Sequence, residues 1–198
     1  MMGRDSVGGS RASECLPSKN RSRRHVLVGL SSASIALAGC LGDEDSSDAP
    51  AEPISLDDGQ NCDVCGMRID EHYGPAGQVF YADGKPEERD GPAWFDSIQE
   101  LLVYHEQRRE LGWERREAFV TDYSSVDFEI SERDETLCIS SHVAAESFAE
   151  ATSVEYVVDS LVEGAMGPEY LPFSDSEEAV NLTEEYEGTI RSWEDLLP

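Results

Sequence analysis

Basic residues are scarce in this 198-residue chain: 15 Lys and Arg stand against 42 Asp and Glu, a formal net charge of −27. Such a surface cannot neutralise phosphates, which excludes nucleic acid as a partner. The acidity is spread along the chain and not gathered in one tail. That pattern suits solubility in concentrated salt, where screening removes self-repulsion, and points to a halophilic source. Nor does the sequence offer a Ser/His/Asp set or a phosphate-binding glycine loop, so a hydrolase or nucleotide enzyme has no support. Sulfur is also rare, with 5 Cys and 4 Met.

Residues 1–39 read as an export leader. Arg23-Arg24 precede a weakly apolar run from Val26 to Ala38, too short to span a bilayer as a stable helix. The run ends in Leu37-Ala38-Gly39-Cys40, a lipobox-like pattern that makes Cys40 the acylated N-terminus of the mature chain. Export by the twin-arginine route would leave the protein lipid-anchored on the outer face of the cytoplasmic membrane. Loss of the leader takes the net charge to −31 and leaves Cys62, Cys65 and Cys138 as thiols. An odd count does not suit a disulfide framework, whereas a metal or redox site needs no even number. Residues 40–58 are rich in Asp, Glu, Ser and Pro and predict a flexible acidic tether.

The remainder, residues 59–198, predicts an α+β domain of two small ββαβ-like halves, about 61–130 and 150–192. Residues 76–82 read as a strand between Gly74-Pro75 and the turn at Asp83-Gly84. Phe95, Ile98, Leu101, Leu102 and His105 share one face, which predicts a helix over 93–109 with His105 as a structural residue. Strands are expected at 118–123 and, by alternation, at 126–130. The second half repeats the cycle, with strands at 155–159 and 170–173, a turn at 164–168, a helix over 175–187 and a returning strand at 189–190. Tyr73-Gly74-Pro75 before the first strand echoes Met166-Gly167-Pro168 in the second half.

The most informative segment is Cys62-Asp63-Val64-Cys65-Gly66-Met67. It sets two thiols and a thioether within six residues, and soft sulfur donors select soft ions, above all Cu(I). After the leader is removed, Met67 and Met166 are the only methionines, and both adjoin a glycine at a turn. His72 is a further nitrogen donor just beyond the motif. Two other readings compete. Cys138 and His142, four apart, would complete a Cys62–Cys65–Cys138–His142 zinc site. However, Leu137-Cys138-Ile139 looks like a strand in which the Cys is a small buried hydrophobe, and His142 opens a helix. A thiol redox protein would place its C-x-x-C at a helix N-terminus, yet no helix signal appears until after Gly91.

The lipoprotein leader, Cys62-x-x-Cys65-Gly66-Met67, the Tyr-Gly-Pro turn, the Gln-Val-Phe strand, Phe95-Asp96-Ser97 before a helix, and Met166-Gly167 before Leu171-Pro172-Phe173 together resemble the NosL family. The resemblance runs from about Cys40 to the end and is looser over 108–152. It implies a pair of ββαβ units and a non-enzymatic Cu(I) chaperone serving the assembly of nitrous oxide reductase or another exported copper enzyme. It also implies an ABC-type membrane transporter and its extracytoplasmic component as partners. Carried over by position, Cys65, Met67 and Met166 would hold copper, with Cys62 and His72 as additional candidates.

Overall fold

A computed structural model describes residues 50–87 and 89–197. The leader, Cys40 and the tether up to residue 49 lie outside the described residues. The first half runs β1 (Gly77–Tyr81), β2 (Ala93–Phe95), α1 (Ile98–Glu110) and β3 (Arg115–Thr121). A middle segment follows, with β4 (Ile130–Arg133), β5 (Thr136–Ile139) and β6 (Phe148–Glu150). The second half holds β7 (Glu155–Val158), the short hairpin β8 (Val162–Gly164) and β9 (Gly167–Pro168), then β10 (Leu171–Phe173), α2 (Ser176–Tyr186), β11 (Thr189–Arg191) and the closing turn of helix α3 (Trp193–Leu196).

The α+β class and the paired ββαβ halves hold. In the first half β1 lies between β2 and β3, antiparallel to both. In the second, β7 lies between β10 and β11 in the same sense. The correspondence extends to the helix starts. Phe95 ends β2 three residues before the first residue of α1, and Phe173 ends β10 three residues before the first of α2. Each helix is capped by the residue just before it. Ser97 accepts the Glu100 N–H, and Asp175 accepts those of Glu177 and Glu178. The Tyr-Gly-Pro echo does not mark equivalent places, because Gly74 precedes β1 whereas Gly167-Pro168 lies before β10, the counterpart of β2.

Several expected boundaries move. The predicted helix over 93–109 begins only at Ile98, since Ala93–Phe95 pairs with Gly77–Val79 as an edge strand. Alternation at 126–130 does not make a strand there. Phe128 packs on Tyr123 and Phe173, and pairing starts at Ile130, opposite Ile139. Cys138 does lie in a strand, β5, which joins β4, β8 and β9 in a third sheet. The helix expected from His142 is reduced to one turn at Ala145–Ser147.

The end of the expected tether belongs to the fold. Leu56 is fully buried, and its N–H donates to the Val143 carbonyl at 2.8 Å. Ile54 exchanges two hydrogen bonds with the buried Gln78 side chain, at 3.0 and 2.8 Å. A polar average over the segment conceals one apolar anchor.

The larger core contains Leu56, Val79, Phe95, Ile98, Leu101, Tyr156 and Trp193, so it joins residues of both halves. Burial of α1's Ile98, Leu101 and Leu102 contributes roughly 1.5–3 kcal/mol each and fixes the helix on β1 and β2. A smaller core gathers Tyr123, Ile139, Val157, Leu171, Phe173 and Leu182 beneath α2.

Candidate metal centre

The sulfur motif is a closed loop. The Cys62 N–H donates to the Met67 carbonyl at 2.8 Å, the Gly66 N–H donates to the Cys62 carbonyl at 2.9 Å, and Asn61 bridges to Arg68 at its base. Gly66 turns the chain back with φ of +76°, a conformation that disfavours any side chain. The loop is fastened to β2. Asp63 accepts the Trp94 N–H at 3.0 Å and pairs with Arg89, while the Trp94 indole donates to the Asn61 carbonyl at 2.8 Å.

This attachment aims both thiols at the first turn of α1. The Cys62 thiol donates to Glu100 Oε2 at 3.0 Å. Cys65 Sγ lies 3.3 and 3.5 Å from the two oxygens of Asp96. One ligand atom from each of Cys62, Cys65, Asp96 and Glu100 falls within 4.8 Å of all the others. Cys62 and Asp96 are buried, whereas Cys65 and Glu100 are half-buried, so the cluster has an inner and an outer side. Burial, reinforced by Glu100, holds the Cys62 thiol far above its ordinary value. Burial and Asp96 raise Cys65, and burial and Asp96 also raise Glu100. Without a cation the sulfurs are therefore protonated donors to carboxylates. An activated redox thiol is the opposite case, held as a thiolate by a positive environment.

Met67 follows Cys65 in the same loop and is half-buried. Met166 turns the β8–β9 hairpin and is about half exposed. That hairpin is tied to the same turn of α1, through Gln99. The Gln99 side chain donates to the Pro168 carbonyl. Glu169 Oε1 accepts the N–H groups of Gln99 and Tyr170, at 3.3 and 2.8 Å. Burial lifts the Glu169 carboxyl to about 7, against the pull of these N–H groups. The hairpin also rests on Gly74, where a Cβ would come within 2.7 Å of Gly164 Cα.

The other sequence candidates are placed elsewhere. His72 lies outside the four-donor cluster. The zinc set is not assembled. Cys138 is buried in β5 with its thiol toward the Thr136 carbonyl, and His142 Nε2 pairs with Ser140 Oγ at 3.0 Å. His105 is structural, as expected, its Nδ1 lying 3.3 Å from the Tyr81 hydroxyl. Asp96 and Glu100 are the residues that sequence reasoning missed as donors. Their four-residue spacing across a helix start was the available signal, but Ser97-x-x-Glu100 reads first as a capping pattern.

Fold and site together define a small α+β domain of two repeated halves, with a cluster of two thiols and two carboxylates in the first half that could hold a metal ion. The family model for NosL matches residues 53–198, and the chain belongs to the NosL family. It is 26% identical over 160 residues to the copper-binding lipoprotein NosL of Stutzerimonas stutzeri, covering 81% of this chain and 73% of that protein. The crystal structure of the copper chaperone NosL from Shewanella denitrificans superposes with a TM-score of 0.58 at 22% identity, covering 75% of this chain and 98% of that one. The latter likeness carries the fold.

Proposed function

We propose that this protein is an exported, lipid-anchored Cu(I) chaperone that hands copper to the assembly of nitrous oxide reductase or a similar exported copper enzyme. The supporting observation is that two sulfur-bearing loops, Cys62–Met67 and the Met166 hairpin, are both fastened to the start of α1, through Asp96 and Glu100 and through Gln99. The relatives from Stutzerimonas stutzeri and Shewanella denitrificans are named as copper-binding and as a copper chaperone, which favours copper over other soft ions.

In this reading Cys65 supplies the thiolate, and Met67 and Met166 supply thioethers that bind Cu(I) without deprotonation. Cys62 stands behind them as a reserve thiolate, and His72 has no part in the set. The half-exposed Cys65 and exposed Met166 let a partner's donors replace these ligands one at a time, so the ion is never free. The ABC-type transporter and its extracytoplasmic component are partners in that assembly. Acylation at Cys40 keeps the carrier on the outer face of the cytoplasmic membrane after twin-arginine export, provided two chains are attached, since one is marginal.

Competition against a Cu(I) chelator tests the ligand set. Cys65→Ser is expected to weaken Cu(I) binding most, and Met67→Leu and Met166→Leu each to weaken it less, because Leu keeps the volume and removes only sulfur. Unchanged affinity in both methionine variants would sink the reading.

A further inference from the structure

We propose that the Cys62–Cys65–Asp96–Glu100 cluster gives the pocket a second mode of use, as a four-coordinate site for Zn(II) that shares only Cys65 with the proposed Cu(I) set. The donor chemistry is mixed. Two sulfurs and two carboxylate oxygens form a borderline set, suited to Zn(II), whereas carboxylates add little for a soft monovalent ion.

The geometry agrees with a tetrahedron. Bonds of about 2.3 Å to sulfur and 2.0 Å to oxygen set adjacent S and O ligands about 3.5 Å apart. The cluster already presents 3.0 Å between Cys62 Sγ and Glu100 Oε2, and 3.3 and 3.5 Å between Cys65 Sγ and Asp96. In these two pairs, closing on an ion requires adjustments of tenths of an ångström, and every other pair of ligand atoms lies within 4.8 Å.

Charge points the same way. Two thiolates and two carboxylates carry four negative charges. A divalent ion leaves a net of −2, whereas Cu(I) on all four donors would leave −3 in a half-buried pocket. Binding of Zn(II) releases the two thiol protons to solvent and leaves the charge of the pocket as it was. Arg89, the cation that braces this loop, pairs with Asp63 and not with either carboxylate of the cluster. The two modes share Cys65 and diverge beyond it: Met67 and Met166 serve Cu(I), while Cys62, Asp96 and Glu100 serve Zn(II).

The two ions compete through that shared thiolate, and this point alone rests on the copper reading. The experiment titrates the metal-free protein separately with Zn(II) and with Cu(I), each against a chelator. It uses wild type, Asp96→Asn, Glu100→Gln, Cys62→Ser, Met67→Leu and Met166→Leu, with circular dichroism confirming the fold of each. Co(II), read by its visible bands, reports tetrahedral coordination. One Zn(II) per chain is expected. Asp96→Asn, Glu100→Gln and Cys62→Ser should each lower Zn(II) affinity roughly tenfold or more and Cu(I) affinity less than about threefold, and the methionine variants should do the reverse. Zn(II) affinity indifferent to both carboxylate variants would overturn the proposal, and so would equal losses of both metals in them. Methionine variants without effect on Cu(I), beside an intact Zn(II) pattern, would refute the copper reading alone.

Discussion

Replacing Gly74 with alanine probes the seat of the Met166 hairpin, and Gly66→Ala is its internal control. Both glycines have positive φ, +100° and +76°, so both alanines strain the backbone. A side chain at such an angle costs about 1–2 kcal/mol. At Gly66 nothing lies within 4 Å of the added carbon, so strain is the whole cost. At Gly74 that carbon would lie 2.7 Å from Gly164 Cα and 3.1 Å from the Ala165 nitrogen. Both are backbone atoms, so no rotamer change relieves the clash and the hairpin must shift. Overpacking of this kind adds about 1–3 kcal/mol. The stiffening of the unfolded chain by alanine is common to both variants and cancels in the comparison. Gly74→Ala should therefore cost about 2–5 kcal/mol. At roughly 2–4 °C of Tm per kcal/mol for a domain of this size, that is a fall of about 4–20 °C, against about 2–8 °C for Gly66→Ala. Thermal unfolding in concentrated salt reads the difference, and Cu(I) titration of the folded variants should show the larger loss at Gly74. An equal or smaller Tm drop at Gly74 would refute the close seating of the hairpin.

Acidification from pH 7 to 5 sets two groups against each other. The Glu169 carboxyl, raised to about 7 from an ordinary 4.5, adds stability as pH falls through that window, whereas His105, held below 6.5 by burial, removes it. In denaturant titrations Glu169→Gln should lose stability on acidification, and His105→Gln should gain more than wild type does. Leu56→Ala should cost about 2–5 kcal/mol, which equilibrium unfolding would measure, while proteolysis should trim the chain to near Ala51 and not to Asn61. Ser97→Ala removes the cap of α1 and should cost about 1 kcal/mol in the same unfolding assay. Cys40→Ala should release the protein from the membrane fraction, and equal partition with wild type would dismiss the anchor.

What was readable in the sequence depended on whether a signal was local. β1 stood out between Gly74-Pro75 and Asp83-Gly84, and the apolar stripe from Ile98 to His105 disclosed α1. The same stripe concealed β2, because Phe95 sits three residues before Ile98 and so mimics a further helical turn. β4 carries Ile-Ser-Glu-Arg, three of them exposed, and has no pattern of its own; its partner β5 dictates it. At the site, the Cys and Met positions were legible because sulfur is rare in this chain. Asp96 and Glu100 were not, because acids are everywhere in it and helix starts favour them for capping. Their role appears only when the Cys62–Cys65 loop, held by β2, is laid over α1.

The position of the cluster on the opening turn of α1 also has an electrical consequence. Aligned peptide dipoles give a helix start the equivalent of about half a positive charge. That field steadies the anionic donors Asp96 and Glu100, yet it pushes against any cation they hold. At about 0.3–1 kcal/mol, the push loosens a bound ion by roughly twofold to fivefold. Grip comes from the side chains, and a standing outward pressure comes from the backbone beneath them. For the carrier role proposed above, the scaffold leans against the cargo that must be let go.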